Sequence, residues 1–134
     1  MNNNIGFLLL GHGSFASGVK SALDILKIEN KNLELVDFHY SNSINELDKK
    51  IYNALLRLSE YNYVIILCDL FGGTPFNRIM MSILDNQERY NVLCGINLPI
   101  VIEALIKYKD FSTASELVNH LKGIFNNTLV DGIQ

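Results

Sequence analysis

The sequence predicts an α/β fold: a single doubly wound domain with a mainly parallel four-stranded sheet and helices on both faces. Apolar runs of strand length alternate four times with amphipathic stretches at helical spacing, which is the pattern of a parallel sheet joined by crossover helices. The 134 residues are enough to bury a core, and 49% of them are hydrophobic. No linker, repeat or low-complexity segment divides the chain, so we expect one domain over residues 1–134.

The four predicted strands are the apolar runs at residues 5–10, 33–38, 63–68 and 92–95. Right-handed crossovers place the carboxyl ends of such strands on one edge of the sheet. The tail, residues 126–133, has apolar and β-branched residues for one more strand, which would pair antiparallel or reach a second subunit. An unpaired apolar edge strand is a liability in solution, so we expect this strand to be exchanged in a homodimer.

Five helices are predicted from apolar spacing and from start signals. Ser43 with Glu46 three residues later forms a capping box, and Pro75 and Pro99 suit the first turn of a helix. The predicted helices cover residues 16–26, 44–58, 75–84, 99–106 and 112–121.

Charge and composition exclude several classes of function. The formal net charge is −3 and no Lys/Arg cluster is present, so nucleic acid is not an expected partner. No apolar stretch approaches the roughly 20 residues of a membrane span, and the amino terminus lacks the basic region of a signal peptide, which predicts a cytoplasmic protein. Cys68 and Cys94 form no close-spaced metal or redox pair and are interpreted as reduced core thiols. No metal or cofactor is expected.

His12 is the main functional candidate, because it lies between two glycines directly after the first apolar run. A strand that ends in Gly-His-Gly presents an imidazole at the carboxyl edge of the sheet, where open α/β domains bind their ligands. A neutral imidazole is a nucleophile, and a carboxylate that holds one ring nitrogen leaves the lone pair of the other exposed.

Asp69 is the predicted carboxylate, since it ends the third strand at the same edge. Gly72 and Gly73 follow and allow a close backbone approach, while Thr74 adds a hydroxyl that could donate to a phosphoryl oxygen. Backbone N–H groups at glycine-rich turns, such as Gly13, and at helix N-termini favour an anion. The pattern therefore predicts phosphoryl transfer to and from His12, driven by positioning and charge stabilisation.

Each of these residues also has a purely structural interpretation. His12 and Asp69 could be turn residues, and Gly-Gly-Thr-Pro could be a turn that feeds a helix. Asn97 is a weak site candidate or a cap before Pro99. His39 follows the second strand and is expected to be a loop residue, whereas His120, on the last helix, is expected to pack or face solvent.

Three segments together carry a resemblance to a known family. They are Gly11-His12-Gly13, the run from Asp69 to Asn77 (Asp-Leu-Phe-Gly-Gly-Thr-Pro-Phe-Asn), and the run from Gly95 to Pro99 (Gly-Ile-Asn-Leu-Pro). In order and spacing they resemble the enzyme IIA domain of mannose-family sugar phosphotransferase systems (PTS), across nearly the whole chain.

The resemblance implies that His12 is phosphorylated by the histidine-containing phosphocarrier protein and passes the group to a IIB component, which serves the membrane permease. It also implies that Asp69 orients His12, that Thr74 donates to the phosphoryl group, and that the homodimer exchanges a C-terminal strand. The IIB component is expected to be a separate protein, since no IIB sequence follows within the chain.

Three alternatives remain open from the residues. A related phosphocarrier that serves a dihydroxyacetone kinase shares the fold and the histidine. Small tetrapyrrole chelatases carry Gly-His-Gly-Ser after a first strand, with His12 then a metal ligand and His39 as its only plausible partner. Phospho-His12 could also act as a regulatory signal.

Overall fold

A computed structural model describes residues 4–133 and has the predicted α/β architecture, a four-stranded parallel sheet between two layers of helices. The strands are β1 (Ile5–His12), β2 (Leu33–Phe38), β3 (Tyr63–Cys68) and β4 (Tyr90–Cys94). The helices are α1 (Phe15–Ile25), α2 (Ile44–Arg57), α3 (Thr74–Ser82), α4 (Leu98–Lys107) and α5 (Ala114–Ile124). Short 3-10 segments follow α3, α4 and α5.

The strand order is β2-β1-β3-β4, and every neighbouring pair is parallel. The chain leaves β1 in one direction to form β2, then crosses back over β1 to form β3 and β4. The order therefore reverses between β1 and β3, and the carboxyl ends of these two strands flank a topological switch point. Ligands of open α/β sheets bind in the crevice at such a point.

Alternate side chains of the strands supply two separate hydrophobic cores. Phe7 and Leu9 of β1 pack with α1, α4 and α5, while Leu8 and Leu10 pack with α2 and α3. Because both faces of the central strands are covered, β1 and β3 are apolar at nearly every position instead of alternating.

The helix starts follow the local signals in the sequence. Ser43 and Glu46 form the predicted capping box of α2, a cap worth about 1 kcal/mol, and Pro75 lies in the first turn of α3. The last helix begins later than predicted: Thr113, not Ser112, is its N-cap, because the Thr113 side chain accepts the N–H of Glu116.

The tail departs from the sequence prediction within the single chain. After a 3-10 turn at Phe125–Asn127, the described residues up to 133 form no strand. A strand forms by backbone pairing with a neighbouring strand, and within residues 4–133 the sheet consists of β2, β1, β3 and β4. Exchange with a second subunit stays a prediction. Within residues 4–133, no helix is both long and apolar enough to cross a membrane.

Candidate functional site

His12 and Asp69 meet at the switch point between β1 and β3. His12 is the last residue of β1, and Asp69 follows β3 and donates its backbone N–H to the carbonyl of Leu10 at 3.1 Å. One carboxylate oxygen of Asp69, Oδ2, lies 2.9 Å from Nδ1 of His12 and accepts the backbone N–H of His12 at 2.8 Å. Asp69 therefore holds both the backbone and the ring of the histidine.

This pairing determines which ring nitrogen is available. A carboxylate oxygen accepts a hydrogen bond, so this contact favours the tautomer with the proton on Nδ1, and in the neutral form of that tautomer Nε2 keeps its lone pair. The side chain of His12 is 42% exposed, whereas that of Asp69 is only 12% exposed. The site thus combines a partly exposed imidazole with a largely buried carboxylate that contacts it.

Two glycines give the imidazole and the carboxylate their space. A Cβ at Gly11 would lie 2.8 Å from Cγ of Asp69, and a Cβ at Gly73 would lie 2.8 Å from Cε1 and 3.2 Å from Nε2 of His12. All three separations are shorter than ordinary van der Waals contacts. The Nε2 side of the ring therefore faces the backbone at Gly73, which is the N-cap of α3.

The N-terminus of α3 offers hydrogen-bond donors beside His12. Thr74 is its first residue, and the first N–H groups of a helix have no acceptor within the helix. Pro75 lacks an N–H, so Thr74 and Phe76 supply the backbone donors of this turn. Gly72 precedes them with a φ of 87°, a conformation that favours glycine.

Two amides at the start of α1 already have a side-chain acceptor. The N–H groups of Ala16 and Ser17 donate to Oδ1 of Asp37 at 3.0 and 3.1 Å. The N–H of Gly13 donates to the carbonyl of Phe38 at 2.8 Å. Gly13 was predicted to bind phosphate, but its amide is engaged in the turn, and its φ of 59° shapes that turn.

The other sequence candidates have contacts away from this pair. Asn97 is the N-cap of α4: its Oδ1 accepts the N–H of Ile100 at 3.0 Å, and its Nδ2 donates to Thr128 at 2.9 Å. On the last helix, His120 places Nε2 2.7 Å from a carboxylate oxygen of Glu103, as expected of a packing residue.

The metal-binding interpretation of His12 finds no support in the donor groups. His39, its proposed partner, lies 4.0 Å from a carboxylate oxygen of Asp37. Across residues 4–133, no three His, Cys, Asp or Glu side chains are grouped so that they could hold a metal ion.

The two cysteines are free thiols, as predicted, and they face each other in register across β3 and β4. Burial raises the pKa of the Cys68 thiol to about 12, so this side chain stays protonated and unreactive at neutral pH. Partial burial also raises the pKa of Cys94.

Sequence reasoning overlooked the end of β2. Asp37 and Phe38 contact the His12 turn directly, since they pair in register with Gly11 and His12. A polar residue at the end of the second apolar run was a visible signal, because this strand ends at the same edge as β1 and β3.

Fold and geometry together define an α/β protein with an oriented, accessible histidine beside a helix N-terminus at a topological switch point. The family described as "PTS system fructose IIA component" matches residues 6–122. The chain belongs to this family, the mannose-type IIA components of sugar phosphotransferase systems. It is therefore a phosphocarrier component of a sugar phosphotransferase system.

Individual relatives agree with this assignment. The fructose-specific EIIA component of Bacillus subtilis strain 168 is 33% identical over 120 residues, which are 90% of this chain and 81% of that protein. The mannose-specific EIIAB component of Escherichia coli K12 is 30% identical over 85% of this chain, but the match spans only 35% of that protein. A crystal structure of an EIIA component from Streptococcus agalactiae has a TM-score of 0.81 at 26% identity, covering 95% of this chain and 96% of that one.

Proposed function

We propose that His12 accepts a phosphoryl group on Nε2 from the histidine-containing phosphocarrier protein and passes it to a IIB component for sugar uptake. The observation that carries this proposal is the bond between Nδ1 and Asp69, which leaves Nε2 directed at the start of α3. The other parts of the site then have definite roles in the transfer.

In the transfer, the lone pair of Nε2 attacks phosphorus as the bond from phosphorus to the donor's histidine breaks. The ring of His12 gains positive charge as the new N–P bond forms, and Asp69 stabilises that charge through the proton on Nδ1. The reverse exchange with IIB breaks the same bond and returns the ring to its neutral form. Each exchange conserves one phosphoryl group and uses no metal or cofactor.

The start of α3 is the proposed cradle for the phosphoryl oxygens. The Thr74 hydroxyl and the N–H groups of Thr74 and Phe76 are the donors. The partial positive charge of the helix terminus favours the negatively charged phosphoryl group. Gly72 and Gly73 allow the backbone to approach the group closely, which a side chain at Gly73 would prevent.

Labelling of the intact chain tests the proposal. Incubation with phosphoenolpyruvate, enzyme I and the phosphocarrier protein should add one phosphoryl group, detected by intact mass, that is acid-labile and base-stable. Nitrogen-15 NMR of the labelled ring should place the group on Nε2. Phosphorylation on Nδ1 would contradict the proposed role of Asp69.

We further propose that the chain works as a homodimer in which the tail of one subunit pairs with the other. Leu129, Val130 and Ile133 are 91%, 63% and 87% exposed, so the tail carries apolar side chains that its own chain does not bury. Among residues 4–133, β4 is the edge strand next to β3, and no strand pairs with its other side. Beside it lies an apolar cavity of about 280 Å³, whose lining includes Leu93 and Phe125.

Truncation after Thr128 should convert the dimer to monomer or aggregate, measured by light scattering. The cut removes the apolar tail but leaves all of α5 and the bond from Asn97 to Thr128. Ile25→Ser is the matched control, since it removes an apolar side chain that is 81% exposed at the end of α1, and it should remain dimeric. A truncated chain that is still a stable dimer would exclude tail exchange.

A further inference from the structure

Asp37, at the end of β2, caps helix α1, whose own N-cap residue makes no capping hydrogen bond. Ser14, the N-cap of α1, makes no side-chain hydrogen bond to the helix. The donors that such a cap would satisfy, the N–H groups of Ala16 and Ser17, are instead bound by Oδ1 of Asp37 from the end of β2. This carboxylate therefore links the start of α1 to the end of β2 in the sheet.

The end of β2 also contacts the His12 turn itself. The carbonyl of Phe38 accepts the N–H of Gly13 at 2.8 Å, and the Phe38 ring meets the His12 ring edge-on with centroids 6.3 Å apart. The turn is thus fixed at three successive points: Asp69 holds His12, Phe38 holds Gly13, and Asp37 holds the helix that follows.

Asp37 is itself well held. Its side chain is only 13% exposed, and Lys50 of α2 donates from Nζ to its backbone carbonyl at 2.9 Å. The same ammonium group donates to the Asn42 side chain at 2.9 Å, which ties down the loop after β2. Because Asp37 is held in place, the hydrogen bonds that it accepts also restrain the start of α1.

We propose that Asp37 is a positioning residue for phosphoryl transfer at His12. By fixing the start of α1, it sets the place of His12 relative to the start of α3. Because it occupies the amides of Ala16 and Ser17 in α1, it also favours α3 as the helix terminus that receives the phosphoryl oxygens. The proposal rests on the proposed function of His12. Misplacement of a reacting group by about 1 Å can cost a factor of about 100 in rate.

The test compares Asp37→Ala with Asp37→Asn by steady-state transfer from the phosphorylated phosphocarrier protein to IIB. Asp37→Ala removes the acceptor and should lower kcat at least about tenfold, with KM for the phosphocarrier protein within about threefold of wild type. Asp37→Asn keeps a side-chain oxygen that can accept both N–H groups, so kcat should return to within about threefold. The ring nitrogen-15 shifts of His12 should move in Asp37→Ala and stay in place in Asp37→Asn.

Ser43→Ala is the control for general loss of a cap. It removes the Ser43 hydroxyl that accepts the N–H of Glu46 at 3.1 Å, but in α2, which does not follow the His12 turn. It should lower the melting temperature about as much as Asp37→Ala while leaving kcat unchanged. If Asp37→Ala does not fold, Asp37→Ser is tested instead. The serine side chain is shorter than that of aspartate, so its hydroxyl cannot reach the amides of both Ala16 and Ser17.

The outcomes separate this proposal from the proposed function. Normal kcat in folded Asp37→Ala, or an equal loss in Ser43→Ala, would overturn the positioning role even if His12 is phosphorylated. Asp37→Asn as impaired as Asp37→Ala would also overturn it, since charge and not hydrogen bonding would then be the cause. Wild-type protein that takes up no label on His12 would refute the proposed function itself.

Discussion

His12→Ala should take up no phosphoryl group from the phosphorylated phosphocarrier protein, measured by intact mass after incubation with phosphoenolpyruvate and enzyme I. The side chain supplies the nucleophile, and no neighbouring group in the proposed mechanism can replace it. Because the ring is 42% exposed, its removal should leave the fold intact, which circular dichroism and the melting temperature will check. The expected effect is complete loss of labelling.

The chain provides two natural controls, because His12 is one of three histidines. His39→Ala and His120→Ala should each take up one phosphoryl group, as wild type does. His39 lies beside Asp37, and His120 pairs with Glu103. Each control substitution therefore removes an imidazole that has a carboxylate neighbour, as His12 has. Label on folded His12→Ala, or its loss from either control, would move the phosphorylation site away from His12.

The fold was predictable because its signals are local. The ranges predicted for β2 and β3 coincide with the strands in the structure: β3 is a nearly continuous apolar run, and in β2 apolar residues are interspersed with Glu34 and Asp37. The capping box at Ser43 is likewise complete within four residues. β4 begins at Tyr90, two residues before the predicted start, because Tyr90 and Asn91 pair with Val64 and Ile65 of β3. Pairing between distant segments decides that boundary, and the local sequence does not contain it.

The site was predictable only where topology alone brings residues together. His12 and Asp69 end neighbouring strands at the switch point, so a parallel sheet was sufficient to predict their proximity. The contacts of Asp37 depend on which residue of β2 lies opposite Gly11, and that register cannot be derived from composition. The use of the Gly13 amide within the turn has the same origin, since its acceptor is the next residue of β2.

Register also explains why the start of α1 receives a side-chain acceptor from β2. Both α1 and α3 begin beside His12, but the end of β2 provides a carboxylate to α1. α3 begins at Gly73 and Thr74, and its N-cap has no side chain to satisfy the first amides. In the proposed mechanism, an anion at Nε2 would therefore meet the first amides of α3, on the side that the ring nitrogen faces.

Asp69→Ala should slow phosphoryl transfer to and from His12 by about 10²–10⁴-fold. The measurement is kcat for steady-state transfer from the phosphorylated phosphocarrier protein to IIB. The variant loses the acceptor that keeps the proton on Nδ1, and it loses the negative charge that stabilises the ring as the N–P bond forms. Loss of the orienting carboxylate in a serine-protease triad costs about 10⁴-fold, and this range corresponds to about 2.7–5.5 kcal/mol in the barrier. Asp69→Asn should also be slow, because an amide carries no charge and can present a donor to Nδ1.

Glu103→Gln is the matched control for Asp69, since it removes a carboxylate that lies 2.7 Å from another imidazole, that of His120. It should transfer phosphoryl groups at the wild-type rate. The NMR spectrum of Asp69→Ala should show a folded protein in which the proton of the His12 ring is no longer confined to Nδ1. Wild-type kcat in such a folded variant would reduce Asp69 to a turn residue and would remove the reason for assigning the phosphoryl group to Nε2.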